Sequence, residues 1–455
     1  MNHNIFREYD IRGIADTELT NDVIYLIGKA YGLYLSKNHH NSVSISGDIR
    51  NTTNRIKTSF TKGLISQGID VYDIGVLPTP VNYFSLYNTD IPNAVQITGS
   101  HNPSEYNGIK ISYNKKPFYG AMIQKLKDII VSNNFLSEVP LGRIYNVNIL
   151  DDYYQYMKEN FKFNRTIKLV MDCGNAAGCL IAPKIYKNLN IELYELYCDV
   201  NPDFPNHHPD PTVDTNLLDM IDVIKNGDYD LGIAFDGDAD RIVAVDNNGN
   251  IIRADILLSI LLSSIINPGD TVVYDVKCSK SVEDIVLQMN GKPLMWKTGH
   301  SLIKNKMIES KSKIGGEMSG HIFFADRYFG YDDGIYVGLR LIELLDKSNK
   351  KLSQLVDNIP KYISTPELRI DCSSDEEKNI VTKKVVDYFS NKYECNTIDG
   401  IRIKYSHGWA LVRSSNTQPV IVCRFESNSK EKLNEIKSEV FNKINEFGNF
   451  SLDEL

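Results

Sequence analysis

Short β-branched runs alternate with longer stretches of helical periodicity through most of the chain, the pattern of βαβ units that build largely parallel sheets. Strands are predicted at Val43–Ser46, Ala94–Thr98, Lys168–Met171, Leu231–Phe235, Thr271–Asp275 and Pro293–Lys297, with helices between them. Beyond about residue 363 the order changes to a helix from Glu376, strands at Ile401–Lys404, Ala410–Val412 and Val420–Phe425, and a charged helix from Ser429. That last part is an α+β arrangement. The chain thus reads as α/β, with three α/β domains of mixed, largely parallel sheets at 1–147, 148–249 and 250–362, and a smaller C-terminal α+β domain at 363–455. Polar connections are expected at Tyr145–Asp151, Asn247–Asn250 and Asn358–Thr365. A chain of 455 residues exceeds one hydrophobic core, and a prior of roughly 150 residues per domain agrees with three or four.

Three polar segments interrupt this pattern where apolar runs end: Thr98–Pro103 (TGSHNP), Asp236–Arg241 (DGDADR) and Gly316–His321 (GEMSGH). Ligands of open α/β sheets gather beyond the carboxyl ends of strands, so the three loops are expected to share a site. DGDADR sets carboxylates at Asp236, Asp238 and Asp240, oxygen ligands suited to a hard divalent cation such as Mg2+, with Arg241 beside them. TGSHNP offers Ser100 after a glycine that lets the backbone turn. A phosphorylated Ser100 next to three aspartates would gather roughly −5 charges, which calls for a divalent cation and Arg241 as compensation. Phosphoryl transfer is the chemistry this set suits. The RSSNTQP loop adds Arg413, Ser415, Asn416 and Thr417, a guanidinium with hydroxyls and an amide fit to grip a second, non-reacting phosphate. GEMSGH adds Glu317 and Ser319, an acceptor and a donor at a spacing suited to neighbouring sugar hydroxyls.

Rival readings fail on spacing. The GxSxG elbow of hydrolases is absent, because Thr98 and Asn102 flank Ser100 where its glycines belong. An EF-hand loop counted from Asp236 needs Gly at its sixth position and Glu at its twelfth, and finds Arg241 and Asn247. The net charge of −8 argues against a nucleic-acid or anionic-membrane partner. The most apolar stretch, Ile256–Ile266, is about half the length that spans a bilayer. With no CxxC pair among seven cysteines and no signal-peptide pattern, reduced, mostly buried thiols and a cytoplasmic location are expected.

These loops, together with FREYDIRG at Phe6–Gly13, YNGIK at Tyr106–Lys110, DVKCS at Asp275–Ser279 and KTGH at Lys297–His300, resemble the α-D-phosphohexomutase superfamily, and within it the bacterial phosphomannomutase/phosphoglucomutase branch. The resemblance runs nearly end to end. It implies three related α/β domains and a smaller fourth around a central cleft. It implies that Ser100 is the phosphoserine, also in contact with the metal, and that Asp236, Asp238 and Asp240 hold Mg2+. Arg12, Lys110 and Arg241 would neutralise charge about the transferring group. Lys110 and His321 are candidates for acid and base, and His101 belongs to the reactive loop. Tyr9, Lys277, His300, Glu317 and Ser319 would meet the substrate, with His321 beside them. The implied reaction interconverts hexose 1-phosphate and 6-phosphate, of mannose or glucose, through a hexose 1,6-bisphosphate that also serves as activator. The partner implied is a phosphorylated hexose, and the chain a monomer or weak homo-oligomer.

Two positions depart from the family pattern. Ala239 replaces a glycine of the metal loop, and Ser46 and Gly47 precede Asp48 where GRDxR is usual. If position 239 takes a positive φ, alanine costs about 1 kcal/mol there. Phosphoglucosamine mutase is the nearest alternative, but GEMSGH and RSSNT favour the hexose enzyme. A sugar-phosphate-binding protein without turnover would be expected to lack Ser100 or an aspartate, and all are present.

Overall fold

The computed structural model describes residues 1–416, 418–448 and 450. The chain packs as two compact units, one of residues 1–257 with 319–356, the other of 258–318 with 357–455.

The first unit holds two mixed sheets. In one, Ser42–Gly47 pairs in parallel with Asp70–Val76 and with Ala94–Ile97. Ala94–Ile97 runs antiparallel to Tyr106–Tyr113, which pairs antiparallel with Ile11–Ile14. Two helices cover this sheet, Asn21–Lys37 and Thr53–Ile65. The first begins at Thr20, whose side chain accepts the Val23 N–H, with Asp22 in its first turn and Lys37 in its last, each charge complementing the helix dipole. The two helices touch backbone to backbone: a β-carbon at Gly28 would lie 2.2 Å from the Phe60 carbonyl oxygen, and one at Gly63 2.3 Å from that of Tyr25.

The second sheet pairs Ile167–Asp172 in parallel with Ile191–Leu196 and Leu231–Phe235, and Leu231–Phe235 antiparallel with Ile242–Asp246. Leu231–Phe235 and Ile242–Asp246 are buried throughout, as strands covered on both faces must be. The Asn247–Asn250 turn, expected as a connection, is a hairpin within this sheet, leading into Ile251–Ile252. The helix Gly334–Ser348 packs on these strands.

In the second unit, Thr271–Asp275 pairs in parallel with Lys292–Trp296 and Ile314–Gly316. An antiparallel sheet orders Ile363–Ser364, Val420–Ser427, Gly408–Ser414, Ile401–Tyr405 and Cys395–Asn396, and Leu368–Asp371 also pairs with Val420–Ser427. The helices Asp375–Ser390 and Lys430–Gly448 cover it. Ser374 accepts the Glu377 N–H while Glu377 accepts the Ser373 N–H, a reciprocal cap that starts the first of them. The α/β organisation and the α+β C-terminal part are therefore as expected. Every strand predicted above is present to within two residues at each end. Among the described residues no helix is long and apolar enough to cross a membrane. The seven cysteines form no disulfide, but only Cys173, Cys278 and Cys423 are fully buried, fewer than expected.

Candidate active site

Ser100 follows the strand Ala94–Ile97 and Asp236 follows Leu231–Phe235, so two strand ends supply the reactive loops. Ser100 is buried, with a φ of 50° that side chains other than glycine rarely take. Its hydroxyl donates to Asp236 Oδ2 at 3.1 Å and lies 3.1 Å from His101 Nδ1. The strained turn is held from beneath by Arg50, whose guanidinium donates to the carbonyls of Ser100, Asn102, Pro103 and Tyr106 and pairs with Asp48. Asp48 in turn accepts from Thr98 Oγ1, the Gly99 N–H and Thr53 Oγ1. Arg50 and Asp48 were missed as site residues. Their signal was the D-x-R left over from the departed GRDxR pattern. Arg12 reaches the same loop through Asn102 Oδ1 at 2.7 Å and pairs with Asp10.

The metal loop fits closely against that turn. A β-carbon at Gly237 would lie 2.2 Å from the Ser100 carbonyl oxygen, so no side chain fits at 237. Ala239 has a φ of 60°, which makes it the strained residue anticipated above. Asp236, Asp238 and Asp240 are wholly buried, and an oxygen of each lies within 4.8 Å of the others. Lys110 bridges Asp238 Oδ2 and Asp240 Oδ2 at 2.7 and 2.6 Å. Thr79, also missed, donates its hydroxyl to Asp238 and its N–H to the Asp238 carbonyl.

The electrostatics follow from burial. It drives the Asp236 carboxyl pKa well up, with Asp240 and Asp238 adding to the rise. Burial pushes Asp238 the same way, but Lys110 outweighs it and the carboxyl ends well below its ordinary value. Burial would lower the Lys110 pKa, yet Asp238 and Asp240 raise it well above normal and keep it a cation. His101 is lowered by burial and then by Arg241, which leaves it neutral. One buried oxygen each of Asp238 and Asp240, Oδ1, takes no hydrogen bond within the described residues. Acceptors of that kind, in an all-oxygen set, fit a hard metal ion.

His321 meets Arg241 Nε through its Nε2 at 2.9 Å, and its Nδ1 lies 2.8 Å from Asp332 Oδ2 and 3.5 Å from Asp240 Oδ1. That geometry suits a ring protonated on Nδ1. Asp332 was not anticipated, since its YDDG context carries no motif.

In the second unit, Lys277 pairs with Glu367 Oε2 at 3.2 Å. Burial opposes its charge, but Glu367, Asp275 and Glu317 raise its pKa. Lys277 is also the first cause that holds the Glu367 carboxyl down at about 2. Glu317 is buried and accepts the Gly299 N–H next to His300. Arg413 Nε donates to Asp399 Oδ2 at 3.0 Å, and the Thr298 N–H shares that oxygen. The Ser415 N–H closes the loop onto the Val420 carbonyl, and Lys378 Nζ donates to the Ser415 carbonyl. Asn416 is exposed, Tyr9, His300 and Ser319 are half-buried, and Thr417 lies outside the described residues. Ser100, His101, Lys110, the three aspartates, Arg241, His321 and Arg12 thus gather in the first unit. Lys277, Glu317 and Arg413 gather in the second.

Comparison with known proteins adds a decisive observation. Four successive stretches match phosphoglucomutase/phosphomannomutase descriptions: alpha/beta/alpha domain I over residues 3–137, domain II over 151–249, domain III over 253–362, and the C-terminal domain over 367–443. The chain belongs to the phosphoglucomutase/phosphomannomutase family. It is 39% identical to a phosphomannomutase/phosphoglucomutase of Pseudomonas aeruginosa, over 97% of this chain and 95% of that one. It is 38% identical to a phosphoglucomutase of Neisseria gonorrhoeae, over 96% and 95%. A crystal structure of a phosphoglucomutase/phosphomannomutase family protein from Burkholderia thailandensis superposes with a TM-score of 0.91 at 37% identity, covering 99% of both chains. Within this family the acidic cluster fits a metal cofactor.

Proposed function

We propose that the chain is a phosphohexomutase that interconverts the 1- and 6-phosphates of glucose and mannose through phosphorylated Ser100 and a hexose 1,6-bisphosphate. The observation that carries this reading is the Ser100 hydroxyl, 3.1 Å from Asp236 in a loop that abuts the buried carboxylate trio. Mg2+ held by Asp236, Asp238, Asp240 and the Ser100 phosphate would act as Lewis acid on the transferring group. Ser100, fixed by Arg50, presents its phosphoryl group to the free sugar hydroxyl. Lys110 and Arg241 offset the charge that builds on the equatorial oxygens. His101, kept neutral by burial, holds its Nδ1 3.1 Å from the Ser100 hydroxyl and orients the reactive loop, while Lys110 and His321 are the candidates for acid and base. His321 orients Arg241, and Asp332 orients His321.

The second cluster supplies the grip. Arg413 with Ser415, Asn416 and Thr417 would hold the phosphate that does not react, and Glu317, Lys277 and His300 would meet the sugar; Tyr9 and Ser319, the other substrate-binding candidates, belong to the first unit. A phosphate grip that accepts either end of the sugar would leave the ring free to reverse between the two transfers.

The test feeds glucose 1-phosphate, mannose 1-phosphate and glucosamine 1-phosphate separately to the protein, with Mg2+ and glucose 1,6-bisphosphate. Turnover of the two hexose phosphates and its loss in Ser100→Ala, with sugar-phosphate binding retained, is the expected result. Full activity of Ser100→Ala under bisphosphate supply would refute the nucleophile, and turnover of the glucosamine compound alone would refute the substrate class.

A further inference from the structure

Lys378, near the start of the helix Asp375–Ser390, is buried, and the reaction described above does not use it. Its position is unfavourable on two counts. A lysine is seldom buried, and a cation this near the start of a helix faces the positive end of the helix dipole. The carboxylate it pairs with, Asp375, has a side chain 65% exposed, so solvent screens that attraction. The ammonium group is held instead by the loop 413–419: Lys378 Nζ donates to the Ser415 carbonyl at 2.7 Å and to the Gln418 carbonyl at 2.9 Å.

These two bonds fix which way the loop faces. A trans peptide is planar with its C=O and N–H on opposite sides, so a Ser415 carbonyl turned to Lys378 sends the Asn416 N–H the other way. At the second carbonyl the next residue is Pro419, which has no N–H, and there the ammonium group sets the course of the chain into Val420–Ser427. The same helix holds the start of the loop, where Ser414 Oγ donates to Thr382 Oγ1 at 3.1 Å. Ser415 bridges the loop, its Oγ accepting the Gln418 N–H and its N–H donating to the Val420 carbonyl. Two carbonyls are thus gathered on the helix side, over a fixed positive charge.

We propose that Lys378 is a positioning residue of the phosphate grip: it draws two carbonyls away from the anion, turns the Asn416 N–H toward it and sets a buried positive charge behind the loop. The ligand class is a phosphate monoester dianion, for which an N–H and a charge already held in place need no rearrangement on binding. The inference deepens the reading of Arg413, Ser415, Asn416 and Thr417 as that grip and rests on it.

The experiment compares Lys378→Met, which keeps an unbranched side chain and loses its donors, with Lys378→Arg, which keeps donors and charge, in the full chain with Mg2+ and glucose 1,6-bisphosphate. In Lys378→Met the KM for glucose 1-phosphate and for mannose 1-phosphate should rise by the same factor, roughly tenfold or more, with kcat within twofold of the parent, and Lys378→Arg should recover most of the loss. Amide hydrogen exchange in the peptide carrying 413–419, followed without substrate, should quicken in Lys378→Met and not in Lys378→Arg. Should the methionine variant fail to fold, Lys378→Gln, which keeps an amide donor without the charge, takes the same measurements. An unchanged KM, unchanged exchange, a fall in kcat with KM unmoved, or equal losses in the methionine and arginine variants would each overturn the proposal. Arg413→Ala run alongside separates the two readings. Weakened affinity there with none in Lys378→Met refutes the positioning role alone, whereas full affinity in Arg413→Ala refutes the phosphate grip and this inference with it.

Discussion

Gly237 packs against the Ser100 carbonyl so closely that a β-carbon there would stand 2.2 Å from the oxygen. The contact joins the two reactive loops and sets the distance between the Ser100 hydroxyl and Asp236. Gly237→Ala must push one loop away from the other. A shift of about 1 Å between reacting groups costs on the order of 100-fold in rate. Steady-state kinetics should show that loss mainly in kcat, because the phosphate grip lies on other residues. A kcat within twofold of the parent would mean the two loops are not coupled through this contact.

Arg50 is buried beside Asp48 and donates to four backbone carbonyls of the Ser100 turn. Arg50→Ala leaves the carboxylate and those carbonyls without their shared donor. Breaking a buried pair of this kind destabilises by about 3 to 5 kcal/mol. Urea unfolding should register it as a lowered midpoint, and a change below about 1 kcal/mol would dismiss the clamp.

Asp238→Asn removes one carboxylate from the trio and one of the two charges that hold Lys110. The Mg2+ concentration that gives half-maximal rate should rise by at least roughly tenfold, with turnover falling alongside it. A metal titration superimposable on that of the parent would contradict a ligand role.

Arg413 is held by Asp399 at the start of the RSSNT loop. Arg413→Ala should raise KM for hexose phosphate by an amount worth about 1.5 to 3 kcal/mol, the value of hydrogen bonds to a charged group. Measured under saturating Mg2+, an unaltered KM would remove the loop from phosphate binding.

Asp333 begins the helix Gly334–Ser348, accepting the Tyr336 N–H and the hydroxyls of Tyr153 and Tyr328. Burial outweighs these bonds and raises its pKa from 3.8 to about 6. The folded protein therefore binds this proton more tightly than the unfolded chain. The resulting stability is full below about pH 4 and is lost as pH rises through 6, a change of about 3 kcal/mol. Unfolding free energies taken between pH 4 and 7 should fall more steeply with pH in the parent than in Asp333→Asn. Equal slopes would show that Asp333 titrates normally.

Much of this was readable from residue order alone. Strand positions such as Leu231–Phe235 and Thr271–Asp275 were legible because β-branched runs bounded by turn residues are a local signal, and hydrophobic burial leaves them few alternatives. The aspartates of DGDADR and the serine of TGSHNP were legible because their chemistry lies in contiguous loops at strand ends. Arg50, Asp48, Thr79, Asp332 and Asp399 were not, since each acts on a partner outside its own loop and only folding brings the two together. Thr79 meets Asp238 across 159 positions, and no periodicity encodes such a pair.

The residue order by itself determined the α/β course of the chain, its loop chemistry and its family, because those depend on local patterning and on motifs that need no partner to be recognised. The tertiary structure alone decided how the Ser100 turn is held in its left-handed conformation, which carboxylates Lys110 bridges and where His321 directs its nitrogens. Distances, burial and the competition between desolvation and nearby charge exist only once remote segments are packed against each other.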